Sequence, residues 1–369
     1  MNPEAIIPTH PHLVTAAWMT AALRAAGLLR KSRVTSLSVE PVGNQGLIGQ
    51  VARFRLSYDR VEHNQVASLI AKFPHPNPDY RKGMQSIYQR EINFYENLGA
   101  AAAISLPRSI YSVMDENSAD NILLLEDLSE GSRPGCLVCG CTLAEARAAD
   151  LRLARFHAAW WENERLTGFH WLSHKRDFIQ NYSTDQFYAD YEDLLEKIRL
   201  ELPHVDLSGG FLQPATLLAR NYTRVKSFLY KAPTTLVHDD YHLDNLLFRG
   251  SESLPETVAL DWQCVAKGPG VTDLGYFISF CLSTEQRRQA ENDLLQTYHD
   301  ELCEQGVRGY DFSRFLIDFR LSGLEPLERL VQVRFLIGRE YPRALAIYEA
   351  VLPRMGSFLA GCRIDELLG

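Results

Sequence analysis

A cluster of charged residues between two apolar runs constrains this chain more than any other feature. Residues 238–245 read HDDYHLDN, and three aspartates so close together repel one another unless a cation or a proton offsets their charge. Another apolar run ends at Asp261, sixteen residues after Asn245. A turn between the two runs predicts a hairpin that brings Asn245 and Asp261 side by side. Their amide and carboxylate oxygens suit Mg²⁺, which prefers oxygen ligands.

The spacing of apolar residues divides the chain into two parts. Before residue 129, short alternating or apolar runs predict strands, and longer amphipathic segments predict helices. The predicted strands lie at residues 34–41, 50–58, 65–73, 109–113 and 122–126, and the predicted helices at residues 12–29 and 81–99. From residue 142 onward, apolar residues three and four apart predict helices around a single hairpin. The sequence thus predicts an α+β fold with a small N-terminal lobe (residues 1–128), a junction (residues 129–141) and a larger, mostly helical lobe (residues 142–369).

Composition excludes several classes of protein. The 369 residues include 38 Lys+Arg and 46 Asp+Glu, and this formal net charge of -8 argues against a nucleic-acid partner, which requires a basic surface. There is no run of about 18 apolar residues, so no membrane span is expected. The start of the sequence lacks the basic and apolar regions of a secretory signal, and the seven cysteines are odd in number and scattered. We therefore expect a cytoplasmic protein with reduced thiols.

Cys136, Cys139 and Cys141 are close enough in sequence to suggest a zinc site. A structural zinc ion takes four ligands, and no second pair of Cys or His lies nearby in the sequence. Free thiols are therefore expected at all three positions.

The order of several motifs along the chain resembles one family. The pattern H-x-D-x-x-x-x-N, followed by a strand and an aspartate, is typical of kinase-type phosphoryl-transfer sites. The chain contains, in order, PVGNQGLIGQVARFRLSY, SLIAKFP, QREINFYENL, NILLLEDLSE, LARFHAAWW, LVHDDYHLDNLLF and LDWQCVAKGPGVTDLGYFI. In these stretches it resembles the aminoglycoside phosphotransferase and choline kinase superfamily, and within it the ecdysteroid-kinase-like branch. The resemblance implies a bilobal protein-kinase-like fold, with an antiparallel sheet in the N-terminal nucleotide-binding lobe, and ATP and Mg²⁺ as cofactors.

The resemblance also implies roles for individual residues. Asp240 would orient the acceptor hydroxyl and take its proton, while Asn245 and Asp261 would hold Mg²⁺ on the nucleotide phosphates. Lys72 would contact the α- and β-phosphates, and Glu91 on the following helix would pair with it. The position of Lys72 in the run ASLIAKF supports this role, because an unpaired charge in an apolar strand is costly.

Three further groups complete the implied site. The glycines after the first strand would let backbone amides approach phosphates, although a plain hairpin turn explains them equally well. These glycines are Gly43, Gly46 and Gly49. Backbone groups of Glu126 and Leu128 would contact adenine. His238 and Asp273 would brace the catalytic loop.

One residue departs from the family pattern. The family usually has glycine between the histidine and the catalytic aspartate, where this chain has Asp239. Two adjacent carboxylates predict a raised pKa for one of them through like-charge repulsion. Asp239 and Asp244 are otherwise expected as solvated or capping residues.

The leading functional prediction is an ATP- and Mg²⁺-dependent kinase that phosphorylates a hydroxyl group of a small molecule. Two alternatives remain open: a metal-dependent phosphohydrolase built on His238, Asp239, His242 and Asp244, and a non-catalytic nucleotide-binding protein of kinase fold. A protein kinase is disfavoured because no A-P-E-like segment follows Asp261.

The distribution of charge bears on the acceptor. Residues 1–141 contain 13 acidic and 13 basic side chains, so the net charge of -8 falls within residues 142–369. The helical lobe would bind the acceptor, and it repels anions. A cationic or neutral small-molecule alcohol is therefore expected as the acceptor, and the protein is expected to act as a monomer or homodimer.

Overall fold

The computed structural model describes residues 6–42, 48–177, 182–208 and 210–368. The chain forms two compact units. The first unit consists of Met1–Ala101, Leu106–Gly131 and Asp261–Gln263, and the second of Ala102–Ser105, Ser132–Leu260 and Cys264–Gly369. The first unit is built on an antiparallel sheet and the second is mostly helical, which confirms the predicted α+β class.

The first unit is built on a five-stranded sheet whose strands lie in the order β1-β2-β3-β5-β4. The strands are β1 (Val34–Pro41), β2 (Gly49–Tyr58), β3 (Ser68–Pro74), β4 (Ser109–Met114) and β5 (Asn121–Glu126). All neighbouring strands run antiparallel. Only β3 begins clearly later than predicted. The side chain of Gln65 donates to the Arg60 carbonyl at 2.7 Å and therefore belongs to the preceding turn.

The alternating sequence of β2 separates a buried face from a charged face. Ala52 and Phe54 are buried in the core that also holds one side of helix α1 (Ala16–Ala25). A large apolar side chain buried in this way contributes about 1.5–3 kcal/mol. On the opposite face, Arg53 and Arg55 pair with Glu40 of β1.

The segment predicted as one helix over residues 81–99 is two helices, α2 (Pro78–Gly83) and α3 (Gln85–Asn97), which meet at Met84. The side chain of Asn77 caps α2 by accepting the amide of Asp79 at 2.9 Å. This cap starts the first helix earlier than the apolar spacing indicated. Helix α3 carries Glu91 on its buried face.

The second unit is a set of helices around two small sheets. Its helices are α4 (Leu143–Ala159), α5 (Thr184–Glu201), α6 (Leu212–Arg220), α7 (Tyr222–Leu229), α8 (Val271–Cys281), α9 (Thr284–Glu304), α10 (Phe312–Leu321), α11 (Leu324–Gln332), α12 (Pro342–Cys362) and α13 (Ile364–Leu368). Strands β6 (Ser132–Pro134), β8 (Leu246–Ser251) and β9 (Leu254–Ala259) form one sheet, and β7 (Thr234–Val237) pairs with β10 (Ala266–Pro269). Capping boxes at Thr142 and Ser283 fix the starts of α4 and α9.

Helix α8 lies at the centre of the second unit. Every one of its residues is buried, and it packs against α10, α11 and α12. The sequence did not predict it because a helix that is buried all round has no amphipathic period. Gly275 permits a close approach, since a Cβ there would lie 2.1 Å from the Ser322 hydroxyl oxygen.

None of the described helices combines the length and apolar character needed to cross a lipid bilayer.

Helix α4, which packs against α9 and β9, carries the buried carboxylate of Asp150. Within the described part of the chain, neither of its side-chain oxygens has a hydrogen-bond partner. Burial raises the pKa of Asp150 well above its usual value, because an isolated charge is unfavourable in an apolar environment. The neutral form of this carboxyl group is therefore the one compatible with the fold.

Replacing Asp150 with asparagine is expected to stabilise the protein at mildly alkaline pH by about 1–3 kcal/mol. Because the pKa of Asp150 is higher in the folded state than in the unfolded state, folding is favoured at low pH and stability falls as the pH rises between the two values. Urea unfolding at mildly acidic and mildly alkaline pH measures the effect, which should shrink in acid. Asp300→Asn, exposed on α9, is the control. Equal pH dependence in wild type and Asp150→Asn would contradict this assignment.

Candidate active site

Lys72 lies within the sheet of the first unit and is held by two carboxylates. In the strand register it pairs with Val51 of β2 and Leu123 of β5. Its ammonium donates to the carboxylate of Glu91 at 2.7 Å and to Oδ1 of Asp261 at 2.8 Å. The structure therefore brings together three of the residues that the sequence singled out.

The charge on Lys72 is stabilised by these partners. Burial alone would lower the pKa of Lys72, but the carboxylates of Asp261 and Glu91 outweigh burial and raise the pKa above its ordinary value. The side chain is therefore a permanent positive charge at a fixed point of the sheet.

The backbone at Asp261 is strained and firmly held. Its φ of +61° lies in the left-handed region that disfavours residues with a Cβ atom. The next residue, Trp262, donates its amide to Glu91 at 3.2 Å, and its buried ring stacks on Phe94 with centroids 4.0 Å apart. These contacts fix the direction of the Asp261 carboxylate, and strain of this kind is common at functional sites.

A hairpin of the second unit carries Asn245. Strands β8 and β9 pair antiparallel, with Leu246 opposite Ala259, so the hairpin predicted from the sequence is present. The amide of Leu260 donates to the Asn245 carbonyl at 2.8 Å and extends the pairing by one residue. The backbone of Asn245 is thus fixed next to the residue that precedes Asp261 in the chain.

The side chain of Asp240 lies among polar groups of the second unit. The Asn245 amide nitrogen donates to its Oδ2 at 3.1 Å, and the Tyr276 hydroxyl donates to its Oδ1 at 3.4 Å. Burial alone would raise the pKa of Asp240, but the nearby His242 imidazole and Arg329 guanidinium lower it below its usual value. Asp240 is therefore an ionised carboxylate whose orientation is set by neutral and cationic donors.

One carboxylate fixes the backbone of the loop before Asp240. Asp273, in the first turn of α8, accepts the amides of His238 at 2.7 Å and Asp239 at 2.8 Å. Its Oδ2 also lies 3.2 Å from the His157 ring. Burial opposes the charge, but the hydrogen bond with His157 lowers the pKa of Asp273 below its usual value. The imidazole of His238 contacts the Leu260 carbonyl at 2.8 Å and ties the loop to the end of β9.

The expectation that Asp239 is a solvated or capping residue is wrong. Its carboxylate accepts the Lys175 ammonium at 2.5 Å, and its backbone φ is +61°. The pKa of Asp239 is raised, but burial rather than the adjacent carboxylate of Asp240 is the main cause. The left-handed backbone gives a physical reason for glycine at this position of the family pattern, since glycine adopts such angles without strain.

Asp244 also differs from the expectation of a solvated or capping residue. Its Oδ1 accepts the amide of Leu137 at 2.6 Å, and its Oδ2 pairs with Arg343 at 2.7 Å. Both contacts lie within the second unit. The side chain therefore links the loop before β8 to residues that are distant in the sequence.

The prediction of free thiols near residue 136 is wrong for two of the three cysteines. Cys136 and Cys139 form a disulfide, because a turn closed by the Gly140 amide on the Cys136 carbonyl brings their Cα atoms within 5.2 Å. Cys141 is free and buried, and burial raises its pKa to about 12.

The structure gives local roles to some of the predicted nucleotide-binding residues. Gly43 and Gly46 lie outside the described residues. Gly49 begins β2, and a Cβ there would lie 2.3 Å from the Phe73 carbonyl oxygen, so the sheet itself requires glycine. Glu126 ends β5 and donates its amide to the Arg108 carbonyl at 2.9 Å, while Leu128 is half-buried just beyond the strand.

Two cations near Asp240 were missed by sequence reasoning. Lys175 binds Asp239, and Arg329 donates to the Asp239 carbonyl while its Nε lies 3.9 Å from Oδ1 of Asp240. Neither residue belongs to a local pattern, and each lies far along the chain from the loop that it contacts. No signal in a single sequence would have identified them.

The amino-acid sequence was compared with known protein families and proteins. The sequence profile of the Ecdysteroid kinase-like family matches residues 44–307. A protein of Caenorhabditis elegans named uncharacterized oxidoreductase dhs-27 is 20% identical over 335 residues, which cover 82% of this chain and 39% of that protein. The chain therefore spans well under half the length of this relative.

Two solved structures were aligned with the chain. The structure of a microcompartment-associated aminopropanol kinase aligns with a TM-score of 0.51 at 15% identity, over 94% of this chain and 98% of that one. An ethanolamine kinase of Plasmodium vivax aligns with a TM-score of 0.49 at 11% identity, over 89% of this chain and 83% of that one. The likeness to the first of these is one of fold, and it confirms the predicted kinase-like fold. Because the family profile matches more than half of the sequence, the chain belongs to the Ecdysteroid kinase-like family.

Proposed function

We propose that this protein is an ATP- and Mg²⁺-dependent kinase that transfers the γ-phosphate to a hydroxyl group of a small molecule, and that it does so in the cytoplasm as a monomer or homodimer. The observation that carries the proposal is the Lys72 ammonium held between the carboxylates of Glu91 and Asp261. A lysine fixed in this way on a strand is a point charge suited to nucleotide phosphates.

The proposed Mg²⁺ ligands are oxygen donors of the kind that this ion prefers. Asp261 offers a carboxylate, and Asn245 offers its amide oxygen because its nitrogen is the atom that contacts Asp240. Mg²⁺ bound with the nucleotide would neutralise part of the phosphate charge. Lys72 would then bind the phosphates while Glu91 keeps its ammonium in place.

Asp240 would bind the acceptor hydroxyl. Its carboxylate is kept ionised by His242 and Arg329, so it can accept a hydrogen bond from the hydroxyl and orient its oxygen. Because the pKa of Asp240 is low, it would take the proton only as the hydroxyl oxygen bonds to phosphorus and becomes acidic. Positioning, rather than strong basicity, is then the main contribution of this residue.

The charges around this loop bear on the acceptor. Asp239 and Glu325 share the ammonium of Lys175, and Glu328 pairs with Lys226 at 2.5 Å. A cationic acceptor would have to compete with these lysines for the carboxylates, whereas a neutral alcohol would not. The acceptor that we propose is a cationic or neutral small-molecule alcohol, and these pairs favour the neutral kind.

The contacts of the histidine and aspartate cluster weigh against the alternative of a phosphohydrolase. His238 contacts the Leu260 carbonyl, Asp239 binds Lys175, and Asp244 binds the Leu137 amide. These side chains are directed to different partners rather than to one metal ion. The alternative of a non-catalytic nucleotide-binding protein would be supported if the protein bound ATP without consuming it with any acceptor.

Asp240→Asn is expected to lower turnover by a factor of about 10²–10⁴ while leaving nucleotide affinity near the wild-type value, because the amide can neither take the proton nor carry the charge. ADP release against a panel of cationic and neutral alcohols measures turnover, and calorimetry measures nucleotide binding. Asp185→Asn, exposed on α5, is the control. Wild-type turnover in Asp240→Asn would refute the assigned role.

Lys72→Met is expected to weaken ATP binding by about 10- to 100-fold, because a hydrogen bond to a charged group contributes about 1.5–3 kcal/mol. Lys82→Met, exposed on α2, is the matched control and should bind ATP normally. Circular dichroism establishes that both variants are folded. Equal ATP affinity in the two variants would remove Lys72 from the nucleotide site.

Asp261→Asn is expected to raise the Mg²⁺ concentration for half-maximal activity by about tenfold, because an amide replaces the charged oxygen ligand. The measurement is a Mg²⁺ titration of ADP release at fixed, saturating ATP. Lys72→Met serves as the comparison, since it should change ATP affinity without changing the Mg²⁺ requirement. An unchanged Mg²⁺ requirement in Asp261→Asn would show that Asp261 is not a ligand.

A further inference from the structure

We propose that Lys175 is a positioning residue for the catalytic loop and that it acts through Asp239 rather than by contact with a reactant. The inference rests on the proposed function, in which the adjacent Asp240 binds the acceptor hydroxyl.

The backbone of Asp239 adopts a conformation that its side chain disfavours. Its φ of +61° lies in the left-handed region, where a Cβ atom crowds the carbonyl oxygen. Glycine adopts this conformation without that penalty. A residue other than glycine at this position therefore needs further contacts to hold the loop in one conformation.

The contacts of Asp239 supply that constraint at three points. Asp273 accepts its amide at 2.8 Å, Arg329 donates to its carbonyl, and Lys175 donates to its carboxylate at 2.5 Å. The first two contacts involve only the backbone and would also be available to glycine. The contacts that depend on the side chain are the one with Lys175 at 2.5 Å and a longer ion pair with Arg329 at 3.9 Å, so the Lys175 contact is the closer of the two that are specific to aspartate.

Lys175 is itself fixed in place. Its ammonium also donates to Glu325 of α11 at 2.6 Å, and its side chain is only 6% exposed. A buried ammonium between two carboxylates has a strongly preferred position, because any movement leaves a buried charge unpaired.

The stem of Lys175 lies against the strand that pairs with β7. A Cβ atom on Gly268 of β10 would lie 3.0 Å from Cδ of Lys175, so glycine makes room for the stem. The amide of the preceding residue, Lys267, donates to the Ser173 carbonyl at 2.9 Å. Gly268 pairs with Thr235 of β7, and β7 leads directly into His238. The lysine and the loop that it holds are therefore anchored to the same pair of strands.

Four variants test the proposal. Asp239→Gly removes both the carboxylate and the backbone penalty, so its turnover should stay near the wild-type value. Asp239→Ala removes the carboxylate but keeps the penalty, and its turnover should fall about tenfold with an unchanged KM for ATP. Lys175→Met should show a similar fall in turnover. The double variant Lys175→Met with Asp239→Gly should recover the turnover of Asp239→Gly alone.

A matched control lies in the same part of the second unit. Lys226 is also buried, and it pairs with Glu328 at 2.5 Å and with Glu325 at 3.8 Å rather than with the catalytic loop. Lys226→Met should therefore lower thermal stability. Any loss of turnover in this variant should not be restored by adding Asp239→Gly. If Lys175→Met does not fold, the comparison of Asp239→Gly with Asp239→Ala decides the question, because both variants keep Lys175.

Two outcomes would overturn the proposal. Equal loss of turnover in Asp239→Gly and Asp239→Ala would mean that the carboxylate itself acts on a reactant. A double variant as slow as Lys175→Met would mean that Lys175 acts without Asp239.

Amide hydrogen exchange over residues 234–248 gives a readout that does not depend on catalysis. Exchange should be faster in Lys175→Met and Asp239→Ala than in wild type and Asp239→Gly. If the wild-type protein releases no ADP with any acceptor, the proposed function fails, yet this exchange pattern still tests the positioning role. Equal exchange in all four proteins would refute that role.

Discussion

The conformation of the loop that precedes Asp240 depends on the carboxylate of Asp273. From the first turn of α8 it accepts two successive backbone amides, those of His238 and Asp239. A negative charge is favoured at this end of a helix, where backbone amides carry partial positive charge. The His157 ring that contacts Asp273 is held in turn by the Tyr298 hydroxyl at 2.6 Å. A buried chain of polar groups thus sets the path of the backbone before Asp240.

In the first unit, a side chain of the candidate active site is held in place by ion pairs rather than by hydrogen bonds from backbone amides. Lys72 would be unfavourable in an apolar strand, and its partners Glu91 and Asp261 lie 19 and 189 residues away in the sequence. The strand therefore tolerates lysine only when the chain has brought distant carboxylates beside it. Under the proposed function, the fold holds this charge in place before the phosphates bind.

The sequence predicted those parts of the structure that follow from local patterns. Alternation located β1 and β2, and the paired apolar runs located the hairpin of β8 and β9. The family pattern selected Lys72, Glu91 and Asp261, which lie together in the first unit, and also Asp240 and Asn245, which are in contact in the second. Each of these predictions used a local pattern, either the spacing of apolar residues or a motif of the family.

The remaining features depend on contacts that no local pattern reveals. Helix α8 is buried all round and so lacks the polar face that marks a helix in a sequence. Lys175 and Arg329 lie 64 and 90 residues from Asp239. The disulfide between Cys136 and Cys139 depends on the geometry of a turn. A single sequence carries no record of such pairings, because they are decided by the packing of the folded chain.

The assignment of Asp261–Gln263 to the first unit means that neither unit is a continuous piece of the chain. A fragment ending at Gly131 would contain Lys72 and Glu91 but lack Asp261. Of the two carboxylates that hold the Lys72 ammonium, that fragment would keep only Glu91. It would also lose Trp262, whose ring covers Phe94. The first unit consists of three separate segments, so a genetic exchange that moved it between proteins would have to carry three coding segments, one of them only three residues long.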